Sequence, residues 1–93
     1  MPIGIQLKDI QYLFHKVGDH TIFFELSDDK EKAGDSTIHY YGYLAYNGSW
    51  IIMEQDTDEG TYRFVAGASL YAANWAAREG KTYLYYSQLS ISD

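Results

Sequence analysis

The dipeptide Asn47-Gly48 stands between two apolar runs, TIHYYGYLAY at 37–46 and SWIIMEQ at 49–55. Both residues tolerate positive φ, so this arrangement is the strongest short-range signal for a β-hairpin. A two-residue loop sets Tyr46 opposite Ser49, Ala45 opposite Trp50, Leu44 opposite Ile51, Tyr43 opposite Ile52 and Tyr41 opposite Glu54. Paired side chains share a face. One face then carries Ile38, Tyr40, Leu44, Tyr46, Ile51 and Met53, and the other Tyr41, Tyr43, Ala45, Trp50 and Ile52. A hairpin with one wet face alternates apolar and polar residues. Here both faces are apolar, so both are expected to be covered. A chain of 93 residues buries only about 60–70% of the surface its unfolded form exposes. A second protein is therefore the expected cover for one face, through Tyr41, Tyr43, Trp50 and Ile52.

The flanking segments extend this into a meander. Residues 20–26, HTIFFEL, are β-branched and aromatic and read as a strand entered through the turn-like Gly18-Asp19. The turn DTDEG at 56–60 leads to a strand at 61–67, TYRFVAG, with Tyr62 and Phe64 on one side and Arg63 and Val65 on the other. Residues 27–36, SDDKEKAGDS, form the charge-dense run and read as a loop. Residues 1–19 read as an extended arm, with a weak strand signal at 3–14. Gly42, inside a strand, marks a bulge or leaves room for a neighbouring ring.

After Gly67 the period changes. Tyr71, Trp75 and Arg78 follow i, i+4, i+7 spacing, with Ala68 and Ala72 alongside, which predicts a helix over 68–79. Ser69 is the expected N-cap and Gly80 the stop. The tail at 81–91 suits a strand or a helix, and we read it as strand. The fold class is α+β, a single domain over 1–93: a small antiparallel sheet packed by one helix in the C-terminal half. An all-β fold is the alternative if 68–79 is not helical. The helix would lay Tyr71 and Trp75 on one sheet face and leave the other for a partner.

Ten tyrosines favour half-wet positions, since each ring is large and each hydroxyl needs a partner. The formal charge of −6, with only seven Lys and Arg, which are scattered, argues against direct nucleic-acid binding. With no cysteine, disulfides, thiolate chemistry and Cys-based zinc sites are excluded. The N-terminus MPIGIQLKDIQ lacks the charged-then-apolar order of a signal peptide. No apolar run approaches the ~20 residues of a membrane span, so a soluble protein made in a cytosol is expected.

Candidate chemistry is sparse. The carboxylates Glu54, Asp56, Asp58 and Glu59 invite a calcium loop. The glycine comes one position early for an EF-hand, however, and Gly67 stands where the bidentate glutamate belongs. A solvated acidic turn is the plainer reading. The histidines His15, His20 and His39 lack the i, i+4 spacing of a helical metal pair. His39 faces Asp56 in the expected register, an ion pair at a strand end. Asn47-Gly48-Ser49 matches a glycosylation sequon but is better explained as the turn. No nucleotide or nucleophile-elbow motif is present. The reading is a non-enzymatic protein without cofactor or metal.

Tyr41-Gly42-Tyr43, Gly48-x-Trp50-x-Ile52, Gly60, Tyr62-Arg63, Gly67, Tyr71, Trp75, Arg78 and Tyr83 together resemble a group of short proteins encoded by tailed bacteriophages. The resemblance covers about residues 40–86. Such proteins often carry a basic residue near 54 and polar residues after the Trp, where this chain has Glu54 and Ala76-Ala77. The resemblance implies a phage origin and no enzymatic residues. On it rest two expectations. One is a structural or accessory virion protein, assembled in the host cytoplasm and contacting other phage structural proteins or itself as a homo-oligomer. The other is a small acidic inhibitor that occupies a basic site on a host defence or nucleic-acid-binding complex through Glu54, Asp56, Asp58 and Glu59.

Overall fold

The computed structural model describes residues 12–17, 20–85 and 88, with side chains from Phe23 onward. Among these residues, five strands form one antiparallel sheet whose spatial order follows the chain. They are β1 (Tyr12–Val17), β2 (His20–Lys32), β3 (Asp35–Ala45), β4 (Trp50–Asp56) and β5 (Thr61–Gly67). A six-residue helix α1 (Tyr71–Ala76) and a 3-10 turn at Arg78–Gly80 follow. The chain is largely sheet, and the all-β alternative describes it as well as α+β does. The meander at 37–66 and the strand at 61–67 are as the sequence predicts. The Gly18-Asp19 turn and most of the weak strand at 3–14 lie outside the described residues.

The β3–β4 register differs from expectation by one residue. Ala45 N–H donates to Ser49 O at 2.8 Å and Gly48 N–H donates to Ala45 O at 3.0 Å, enclosing a three-residue loop. Gly48 has φ +93°, while Asn47 is not among the residues at positive φ. This is a type I turn closed by a left-handed glycine, the second commonest hairpin solution, and not the type I′ turn. Leu44 therefore pairs with Trp50, Tyr43 with Ile51, Gly42 with Ile52, Tyr41 with Met53 and His39 with Gln55. A one-residue slip exchanges every side chain of one strand between faces. His39 consequently does not face Asp56, which pairs with Ile38; its ring stacks on Tyr41 at 6.4 Å.

The charged run at 27–36 is not a loop. β2 continues through Ser27–Lys32, pairing Asp28 with Gly42, Asp29 with Tyr41 and Lys30 with Tyr40. The turn is only Ala33-Gly34. Pairing with a strong neighbour overrides the poor strand propensity of Asp and Lys. The register jumps between Leu26 and Asp28, so Ser27 is an extra residue on β2. A bulge of this kind reverses the parity of the strand beyond it. Phe24 and Leu26 pack on one face before it, and Asp28 faces the helix after it.

Each sheet face has its own buried cluster. Phe24, Tyr41, Tyr43, Ile51, Met53 and Phe64 form one. Tyr40, Trp50, Ile52 and Tyr83 form the other, covered by Tyr71 and Trp75. Full burial of such a side chain contributes about 1.5–3 kcal/mol, so these two layers carry most of the fold's stability. The helix is shorter than the stripe at 68–79 predicts. Ser69 does not cap it; Leu70 stands at the N-cap with φ 62° and no side-chain bond. Residue 69 instead turns its carbonyl to Trp50 Nε1 at 2.6 Å. In the tail, Leu84 bridges Phe64 through two backbone bonds of 2.6 and 2.8 Å, and much of 86–91 lies outside the described residues.

Candidate interaction surfaces

The expected aromatic interface divides in two. Trp50 and Ile52 lie under the helix, while Tyr41 and Tyr43 lie on the opposite face. All four are at most 3% exposed. The register slip moved β4's set across the sheet, and this chain itself encloses all four rings and side chains. Tyr41 Oη donates to Gln55 Oε1 at 3.0 Å, and Gln55 Nε2 donates to Tyr62 Oη at 3.2 Å. Burial, then the neighbouring Tyr41 and Asp29, push the Tyr43 hydroxyl up to about 12. These groups act as internal struts.

Gly42 explains how the helix seats. A Cβ at that position would overlap Tyr71 Oη and lie 3.0 Å from Trp75 Cε3. The rings given room are thus Tyr71 and Trp75, brought from more than twenty-five residues away. Tyr71 Oη reaches across the glycine to donate to Asp28 Oδ2 at 2.6 Å. Further along, the Arg78 guanidinium lies 4.6 Å over Trp75, and Tyr83 Oη donates to the Arg78 carbonyl at 2.7 Å. Lys81 Nζ sits 5.4 Å over the Trp50 ring. Burial raises the hydroxyls of Tyr71 and Tyr83 further above their ordinary range, and both donate as neutral phenols.

The four carboxylates of the expected acidic patch have different fates. Glu54 is half-buried and committed: it accepts from Tyr40 Oη at 3.1 Å and pairs with Arg63 at 3.4 Å. Burial, then the Glu54 charge, push the Tyr40 hydroxyl up to about 12. Asp56 folds the turn, its Oδ1 accepting from the N–H of Asp58 at 3.0 Å and of Glu59 at 3.1 Å. Asp58 and Glu59 are exposed at the tip. Among the described residues no group of three His, Asp or Glu is arranged to hold a metal.

The sequence reading missed a fifth acid. Thr57 donates from N–H at 2.8 Å and from Oγ1 at 3.0 Å to the Thr37 carbonyl. This ties the β4–β5 turn to the irregular start of β3, where Asp35 stands. Asp35 accepts from Thr37 Oγ1 at 2.7 Å and Thr37 N–H at 3.0 Å. The Thr37 hydroxyl bond, followed by the backbone bond, holds its carboxyl below the usual range. Asp-x-Thr is the local signal for such a turn. One end of the sheet thus gathers Asp35, Asp56, Asp58 and Glu59. None of the four forms an ion pair among the described residues.

The half of the sheet near the β3–β4 loop is different in character. An open groove of about 420 Å³ is lined by Phe23, Glu25, Leu26, Leu44 and Tyr46, with Ser27 and Ala45. Phe23 is 58% and Tyr46 91% exposed. Among the described residues no helix is long and apolar enough to cross a membrane. No protein-family model, curated protein or solved structure matches the chain.

Proposed function

We propose that this chain is a non-enzymatic binding protein that docks through the acidic end of its sheet on a basic surface of a larger protein. The observation that supports it best is the gathering of Asp35, Asp56, Asp58 and Glu59 by the Thr57–Thr37 bonds, where Lys32, opposite Asp35, offsets only part of the charge. Clustered like charge at one end of a −6 chain steers association with a cationic surface. Basic protein surfaces of this kind commonly serve nucleic acid. Taken with the resemblance to short phage proteins, the partner class is a host defence or nucleic-acid-binding complex, which the chain would inhibit by occupancy. The virion reading, which also rests on the resemblance, drew further support from the hairpin's two apolar faces, and this chain encloses Tyr41, Tyr43, Trp50 and Ile52. Stoichiometric copies in purified phage particles would favour it.

Affinity capture from a bacterial lysate at low and high salt tests the proposal. The bait is compared with a triple variant, Asp56→Asn, Asp58→Asn and Glu59→Gln; asparagine at 56 keeps an acceptor for the turn. The expected result is a basic nucleic-acid-binding protein held at low salt, released at high salt, and lost with the variant. Capture indifferent to both salt and the three charges would refute it.

A further inference from the structure

We propose that the groove between β2 and β3 is a second docking site, which takes an extended protein segment presenting an apolar or aromatic side chain beside a lysine or arginine. It does not rest on the acidic-end reading. The groove follows from two irregularities already described. Before the Ser27 bulge, Phe23 and Glu25 face the helix side, and Leu44 pairs with Glu25. The three-residue loop then carries Tyr46 past the end of β3, where it stands 91% exposed.

Size, lining and charge together specify the occupant. A volume of about 420 Å³ lies at the low end of the roughly 300–1,000 Å³ of small-ligand pockets, room for one or two side chains. Two exposed rings and the half-buried Leu44 supply an apolar surface, and exposed Phe and Tyr at a concavity are typical anchors of protein recognition. Glu25 adds an exposed carboxylate to that surface and forms no ion pair among the described residues. A cation adjoining the apolar anchor is the complement. A second copy of the chain is disfavoured by charge, since each copy carries −6 and the cations of β2, Lys30 and Lys32, are interleaved with Asp28, Asp29 and Glu31.

The test is selection of a random linear peptide library on the immobilised full chain, followed by fluorescence polarisation with the enriched peptides. Glu25→Lys and Tyr46→Ser are the groove variants, and Asp58→Asn with Glu59→Gln is the acidic-end control. All four side chains are exposed, and melting curves confirm that each variant is folded. The expected peptides pair an aromatic or aliphatic residue with Lys or Arg. Their affinity falls at least tenfold on Glu25→Lys and on Tyr46→Ser, is unchanged in the control, and their amide shifts map to 23–27 and 44–46. The proposal is overturned by an absence of enrichment, by peptides without that pairing, or by affinities that ignore both groove variants. Loss of affinity in the acidic-end control alone also overturns it, while leaving the acidic-end reading intact. Sedimentation showing a dimer that Tyr46→Ser dissociates would assign the groove to a second copy instead.

Discussion

Replacing Gly42 by alanine tests whether the short helix seals the sheet. In an uncovered strand the change is favourable, because glycine in a strand interior costs about 0.5–1 kcal/mol relative to alanine. Under this helix the new Cβ overlaps the Tyr71 hydroxyl and crowds Trp75 at 3.0 Å. Overpacking of a well-filled core costs about 1–3 kcal/mol. Moving the Tyr71 ring aside also breaks its 2.6 Å bond to Asp28. Bonds to a charged partner contribute about 1.5–3 kcal/mol, and the half-buried setting of both groups places this one at the lower end. The net expectation is a loss of roughly 1.5–4 kcal/mol. For a domain of this size each kcal/mol lowers Tm by about 4–8 °C, so a fall of at least about 6 °C follows. Urea denaturation read by tryptophan fluorescence is the natural assay, since Trp50 and Trp75 both lie in the helix-side cluster. Tyr71→Phe removes the colliding oxygen, so it should cost less in the alanine background than in the native one, a coupling of about 0.5–3 kcal/mol. A Gly42→Ala protein as stable as the native chain, or more stable, would show that the helix does not rest on this strand.

Three other perturbations have definite signs. Leu70→Gly is expected to stabilise by about 0.5–1 kcal/mol, because a left-handed leucine costs about 1–2 kcal/mol, its side chain is 75% exposed, and glycine returns only part of that in chain entropy; a lower Tm would contradict it. Gly48→Ala, at φ +93°, should cost about 1–2 kcal/mol, visible as a lower urea midpoint with an unchanged slope. Burial raises the phenols of Tyr40 and Tyr43 to about 12 and raises those of Tyr71 and Tyr83. The unfolded chain releases those protons near pH ~10, so the stabilisation is complete below that pH and is lost as pH rises through the folded values. Phenolate absorbance and circular dichroism should therefore change together between about pH 10 and 12, and ionisation of all ten tyrosines with the fold intact would disprove the burial.

The elements that were legible in the sequence are those whose own residues decide them. β5 follows from TYRFVAG, with its Tyr62/Phe64 and Arg63/Val65 alternation kept in the fold. The hairpin was legible at Asn47-Gly48, but its loop length was not. A two- and a three-residue loop fit the same dipeptide, and only closure between Ala45 and Ser49 decides the faces. The second half of β2 was hidden for the opposite reason. Ser27–Lys32 has the composition of a loop, and only the tyrosines opposite it on β3 make it a strand. The acidic turn was readable from DTDEG, yet Asp35 joins it through Thr37 and Thr57, twenty residues apart. Glu54 looked equivalent to its neighbours and is spent on Arg63 and Tyr40.

Because strand order follows chain order, no strand must wait for a partner made much later. Each hairpin from β2 to β5 closes over a short turn, so little loop entropy opposes the first pairings. Such a sheet should fold faster than sandwiches whose strands pair across the sequence. The long-range ties form on top of it: Tyr71 to Asp28, separated by 43 residues, and Ala33 N–H to Glu79, separated by 46. Substitutions in the β3–β4 turn are then expected to slow folding. Those at Asp28, Tyr71 or Glu79 should leave the folding rate near its native value and hasten unfolding. The helix is in this sense a latch, closing last and setting how long the folded state lasts.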